Sequence, residues 1–215
     1  MYLPAPFRSD DPAIAAELMR AHPFASLIST DDDGLPFVTH LPLHLQARAD
    51  GWVLLGHVAK ANPHARYLQA RPTALATFLG PHAYLSPSVY PDRQRVPTWN
   101  YLAVHCTVQA TLLAEPRDKD VLLKHLIGEH EPAYAEQWRS MDPSYTEKML
   151  AGIAAFELRV LRWQCKLKLN QHRPESHAAM RAAYARGDAG AQALGVWMDR
   201  LGLAAGAPTP PPDGT

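Results

Sequence analysis

Gly51-Trp-Val-Leu-Leu-Gly-His-Val-Ala-Lys-Ala-Asn-Pro-His64 is the stretch on which the fold turns. Its first eight residues are apolar enough for a strand. Asn62 followed by Pro63 is a cap and first-turn pair, which predicts a helix from Pro63 to Ala70 that Arg71-Pro72 stops. A strand that ends on a lysine and hands over to a capped helix brings free N–H groups and a positive charge together, which suits a phosphate. Lys60 supplies the charge, and His57 and His64 can add donors. The same pattern also serves as an ordinary solvated loop, so it does not define a site alone.

Working outward, Phe24–Ser29 and Pro36–Leu45 read as strands around the turn Asp31-Asp-Asp-Gly34. Thr39 and His40 fall mid-strand. Pro42 lacks a ladder donor, which marks an edge strand or a place where the chain serves a ligand. A short helix over residues 10–21 precedes them, with Pro12 as its first helical residue. Downstream, Thr73–Leu79, Ala83–Tyr90 and Tyr101–Ala114 read as strands, with Gly80-Pro81 as punctuation and a loop rich in proline and charge before Tyr101. The segments Tyr84–Pro91 and Val96–Tyr101 are dense in aromatics and prolines and suit the wall of a planar ligand or an interface. Trp99 and Asn100 could pack on a ring and hydrogen-bond it.

Asp118–Gln137 then reads as helical with Pro132 as a break, and Ser144–Ala151 as a second helix. Phe156–Leu169 is a long strand whose apolar phase flips near 160–161, which predicts a bulge or bend. Residues 175–202 read as Ala-rich helices with a break near Gly187 and Gly190. Strands first, helices after, and one returning strand argue for an α+β fold on an antiparallel barrel. The expected division is a barrel domain over 1–173 with a helical insertion at about 117–152, C-terminal helices over 174–203 packing on the barrel or a dimer partner, and a disordered tail over 204–215.

Composition narrows the function classes. Of 215 residues 47% are hydrophobic, and 21 basic side chains balance 21 acidic ones, so the chain is globular and has no global field to attract nucleic acid. DNA contact is therefore unsupported by charge, though a local basic stripe would permit it. Cys106 and Cys165 form no metal or disulfide pattern and read as core thiols of a cytoplasmic protein. The start, Met1-Tyr-Leu-Pro-Ala-Pro-Phe7, lacks the basic and apolar regions of a signal peptide, and no run suits a membrane span. The histidines are scattered, and the five-residue spacing of His125 and His130 is wrong for one helix face, so no metal site is expected. Dinucleotide, Walker and nucleophile-elbow motifs are absent.

Four segments together resemble the PaiB-type FMN-binding negative transcriptional regulators, over Met1 to about Leu201. They are Gly56-His57 with Ala59–Pro63, Tyr84–Ser88 with Tyr90-Pro91, Val96–Tyr101 with Val104-His105, and Lys168–Arg173. Val89 stands where the family usually has tryptophan, and Asn170 and His172 where it has serine and asparagine. The resemblance implies an FMN-binding split β-barrel with flanking helices, working as a homodimer with its flavin pocket at the subunit interface. Thr39, His40, Leu41 and Pro42 would line the isoalloxazine. His57, Lys60 and Asn62 would lie near the ribityl phosphate, Val58 would also be a cofactor-binding residue, and Trp99, Asn100, Lys168 and Gln171 would be pocket or interface residues. The strand Phe37–Leu45 lacks the paired Arg and Lys phosphate ligands of the related oxidases. The implied function is a negative transcriptional regulator or a flavin-responsive regulator; the alternatives are an FMN-dependent oxidoreductase acting on a small molecule and a haem- or flavin-binding protein.

Overall fold

A computed structural model describes residues 1–203; the tail expected to be disordered lies outside the described residues. The chain runs through β1 (Arg8–Ser9), α1 (Pro12–Ala21), β2 (Phe24–Thr30), β3 (Pro36–Pro42), β4 (His44–Arg48) and β5 (Gly51–Ala59). It continues through α2 (His64–Ala70), β6 (Thr73–Leu85), β7 (Thr98–Leu113), α3 (Pro116–His130), α4 (Tyr134–Ser140) and α5 (Pro143–Ala151). Strand β8 (Ile153–Lys168) and helices α6 (His177–Ala185) and α7 (Ala189–Arg200) complete it. The strands form one sheet in the order β3-β2-β6-β7-β8-β5-β4, with β1 added beside β8. The pairs β2–β3, β2–β6, β4–β5 and β5–β8 are antiparallel. The outermost strands of that order, β3 and β4, are separated in the chain only by Leu43, so the sheet turns back on itself as a barrel.

Two expected strands are corrected. Pro36–Leu45 is not one strand: β3 stops at Pro42, which has no N–H to offer, and Leu43 donates instead to the Pro23 carbonyl at 2.9 Å. Conversely, β6 runs unbroken through Gly80-Pro81. Its ladder with β2 pairs Leu75, Ala76 and Thr77 only, so Pro81 lies beyond the point where β2 needs a donor. The expected strand end at Tyr90 is replaced by a 3₁₀ turn over Pro87–Val89, because the Ser86 hydroxyl accepts from Ser88 N–H.

The described chain forms two compact units, through both of which β6, β7 and β8 run. One comprises Met1–Pro12, Leu79–Ala103 and the chain from Gln164; the other comprises Ala13–Phe78 and Val104–Trp163. In the second unit, Leu122 of α3 packs on Val53, Leu55 and Ala155, a fully buried leucine contributing about 2 kcal/mol. Gly56 is required there: a Cβ would lie 2.6 Å from Leu43 Cδ2 and 3.2 Å from the Phe156 ring. Cys106 is buried in the second unit and Cys165 in the first, and the two form no disulfide. Burial pushes the Cys165 thiol up to about 12, so it is inert at neutral pH. In the first unit, the Arg181–Asp199 ion pair joins α6 to α7, and Asp188 caps α7 through Ala191 N–H.

Candidate functional site

The β5–α2 corner forms much as its sequence dictates. The Asn62 side chain accepts from His64 N–H at 2.9 Å, and α2 starts at His64, one residue later than expected. The same side chain donates to Thr39 Oγ1 at 3.3 Å, and His64 Nδ1 lies 2.8 Å from that oxygen, which ties β3 to the corner. Phe37 packs edge-on against both His64 and Tyr67. His64 is fully buried, and burial pushes its pKa down to about 4, so the imidazole is neutral at pH 7. Its Nε2 and the buried Nδ1 of His57 have no hydrogen-bond partner among the described residues. Lys60 is exposed; its N–H donates to the Gly152 carbonyl, while its ammonium makes no ion pair among the described residues.

A histidine cluster stands beside β4 in the same unit. His44, 3% exposed, has Nδ1 2.5 Å from Glu129 Oε2, and its Nε2 lies 3.3 Å from His130 Nε2. His125 Nε2 is 3.1 Å from the other Glu129 oxygen. The spacing of His125 and His130 was expected to separate them, but Glu129 and His44 bridge them. Burial holds His44 below the ordinary histidine range, outweighing Glu129. Neutral His44 therefore donates through Nδ1 to the carboxylate and accepts at Nε2 from His130. Among the described residues no three His, Cys, Asp or Glu side chains are placed to hold a metal ion.

In the first unit, the end of β8 and the turn after it line a cleft of about 570 Å³, within the size range of small-molecule sites. Lys168 Nζ donates to Thr98 Oγ1 and to the Trp99 carbonyl, both at 2.6 Å. Burial and the nearby Lys166 lower its pKa. Asn170 has φ 63°, the one positive φ at a non-glycine among the described residues. Its amide donates to Tyr90 Oη at 3.0 Å and Ser176 Oγ at 2.8 Å, and His177 Nε2 lies 2.9 Å from its carbonyl. Gln171 closes the turn, accepting from Leu169 N–H and donating to the Leu167 carbonyl.

A family model described as "Putative FMN-binding domain" matches residues 1–162. The protease synthase and sporulation protein PAI 2 of Bacillus subtilis is 34% identical over 181 residues, covering 82% of this chain and 84% of that one. The chain belongs to the PaiB-type FMN-binding family. Among solved structures, the flavocytochrome Anf3 from Azotobacter vinelandii matches with a TM-score of 0.62 at 17% identity, over 76% of this chain and 70% of that chain. An FAD- and haem-binding protein from Mycobacterium smegmatis matches at 0.58 and 17%, over 75% and 73%. At such identity these two establish the split-barrel fold and nothing more.

The residues expected at the flavin pocket from the sequence are spread over both units. Thr39, His40, Leu41, Pro42, His57, Val58, Lys60 and Asn62 lie in the second, and Trp99, Asn100, Lys168 and Gln171 in the first. Leu41 and Val58 are buried in the core, whereas His40 and Pro42 are exposed on β3. His40 Nδ1 lies 3.0 Å from Ser26 Oγ. Trp99 is half-exposed and donates to His82 Nδ1 at 3.3 Å. Asn100 is fully buried, donating to Tyr184 Oη at 2.9 Å with its own oxygen unpartnered. Two departures from the family pattern, Asn170 and His172, line the cleft, and Val89 is buried. Sequence reasoning placed Tyr90 in a segment suited to a ligand wall and missed Arg95 and Arg173 as cleft residues. The proline- and charge-rich loop before Tyr101 was the signal that could have found Arg95.

Proposed function

We propose that this protein is a flavin-responsive regulator that holds one FMN per subunit in a pocket built between two copies of the chain in the cytoplasm. The observation that carries the reading is the corner after β5, where the Lys60 ammonium makes no ion pair and the buried His57 Nδ1 and His64 Nε2 have no hydrogen-bond partner among the described residues. A phosphate would supply the acceptor that Lys60 lacks. Thr39 to Pro42 lie on the edge strand of the sheet order, where backbone groups free of a second ladder can meet the polar rim of a flavin ring. Trp99, Asn100 and Gln171 would be interface residues, whereas Lys168, held by Thr98 and the Trp99 carbonyl, faces a cleft of its own. When bound, FMN supplies reversible redox chemistry, and the protein supplies orientation and exclusion of water.

The regulatory output is assigned to the ligand-bound state or a partner protein. Net charge is zero, α3 carries no basic recognition face, and the chain has no field of its own to hold DNA. No helix among the described residues is long and apolar enough to cross a membrane. The test is a titration of purified protein with FMN, read by flavin fluorescence. One FMN per subunit is expected. Lys60→Ala should weaken binding about tenfold, the loss of one charge-assisted contact of roughly 1.4 kcal/mol, with the dimer unchanged by light scattering. No saturation at tens of micromolar, roughly −6 kcal/mol or weaker, would remove the cofactor from this reading.

A further inference from the structure

We propose that the cleft beside Asn170 binds a small planar acid, an aromatic body carrying a carboxylate, as a ligand separate from the flavin. The first argument is charge. Arg95, Lys168 and Arg173 line the cleft, and no acidic residue does. Arg95 is partly neutralised by Asp92 at 2.7 Å, and Glu175 stands 3.7 Å from Arg95 and 3.9 Å from Arg173. Lys168 has no carboxylate at ion-pair distance among the described residues and rests on two neutral oxygens. Lys166, two residues earlier on β8, does not line the cleft and is buried against the Tyr2 carbonyl and the Tyr2 and Tyr101 rings. A partly buried ammonium group without a counter-charge, as Lys168 is, is unfavourable unless an anion completes it.

The second argument is shape. Phe7 and Tyr90 give the cleft flat apolar walls, and the Arg95 guanidinium lies 5.2 Å over the Tyr90 ring. Phe7 meets His172 edge-on at 5.4 Å. A flat ring between such walls with its acid group toward Lys168 uses both features. The third argument is preorganisation. Asn170 holds a left-handed backbone that is expensive for a non-glycine residue, and three partners, Tyr90, Ser176 and His177, keep it there. That turn sets Lys168, His172 and Arg173 on one cleft before any ligand arrives.

The proposal rests on the flavin reading only in taking Lys60, and not this cleft, as the cation for the flavin phosphate. The test is calorimetric titration of the full chain with salicylate and with its neutral amide, salicylamide, each without FMN and at saturating FMN. One salicylate per chain is expected under both conditions, with salicylamide at least about tenfold weaker. Lys168→Met and, separately, the partly exposed Arg173→Gln should each weaken salicylate about tenfold, with the circular dichroism of both variants unchanged. Absence of saturable salicylate binding, equal binding of the amide, or displacement of salicylate by FMN would overturn the proposal. Salicylate binding by a chain that takes up no FMN would leave this site standing and remove the flavin reading instead.

Discussion

Two corners of this molecule are spelled alike and built differently. Lys60-Ala-Asn62-Pro-His64 follows β5 and opens α2, and Lys168-Leu-Asn170-Gln-His172 follows β8 and leads towards α6. In the first, Pro63 confines Asn62 away from helical backbone, and the Asn62 side chain caps the next turn. In the second, no proline follows, and Asn170 turns left-handed while its side chain knits the corner to Tyr90 and Ser176. The histidines then exchange places: His64 is fully buried and neutral, whereas His172 is exposed on a cleft. The lysines do too, Lys60 standing free and Lys168 tied to Thr98 and Trp99. The lesson is that a short string of polar residues specifies a corner only with its neighbours. One proline and one distant tyrosine decide which side chain is structural and which is offered to a ligand.

The contrast can be broken most sharply at Asn170. Asn170→Ala loses two side-chain hydrogen bonds and places a Cβ-bearing residue without αL tolerance at φ 63°, so urea denaturation should show a loss of about 3 kcal/mol. Asn170→Gly should recover the backbone part; if both variants lost the same amount, strain would not be what distinguishes this corner. The next largest effect belongs to His64. Its pKa falls from 6.5 in the unfolded chain to about 4 in the fold, so between those values the unfolded state binds the extra proton. Stability should therefore be full above about pH 6.5, decline as pH drops, and level off below about pH 4, by at most about 3 kcal/mol. His64→Gln should flatten that limb, and a slope unchanged by the substitution would assign the acid response to other groups, such as His44 and His57. The smallest effect is at Asn62, where Asn62→Ala removes a cap worth about 1 kcal/mol. A loss there as large as at Asn170 would erase the difference between the corners.

Much of the architecture was legible because it is local. The Asn62-Pro63 start of α2, the Pro12 start of α1, the break between α3 and α4 at Pro132 and the hairpin around Gly34, whose φ is 81°, each follow from residues within one turn of each other. The phase change in β8 was also legible: Phe156 and Leu158 are buried before it, and Cys165 and Leu167 after it, with Leu161 and Arg162 both exposed between.

Family membership and its fold were likewise present in the order and spacing of four motifs. What the chain alone could not give is the partnering of residues far apart along it. The break at Leu43 depends on the Pro23 carbonyl, and the His44–Glu129 pair spans 85 positions. The left-handed Asn170 depends on Tyr90, 80 positions away. Propensity and periodicity report how a residue suits its neighbours in sequence, so they determined the elements and their class. Which polar groups are buried, paired or left open is set by desolvation and by contacts across the sheet, and those exist only once the barrel has closed.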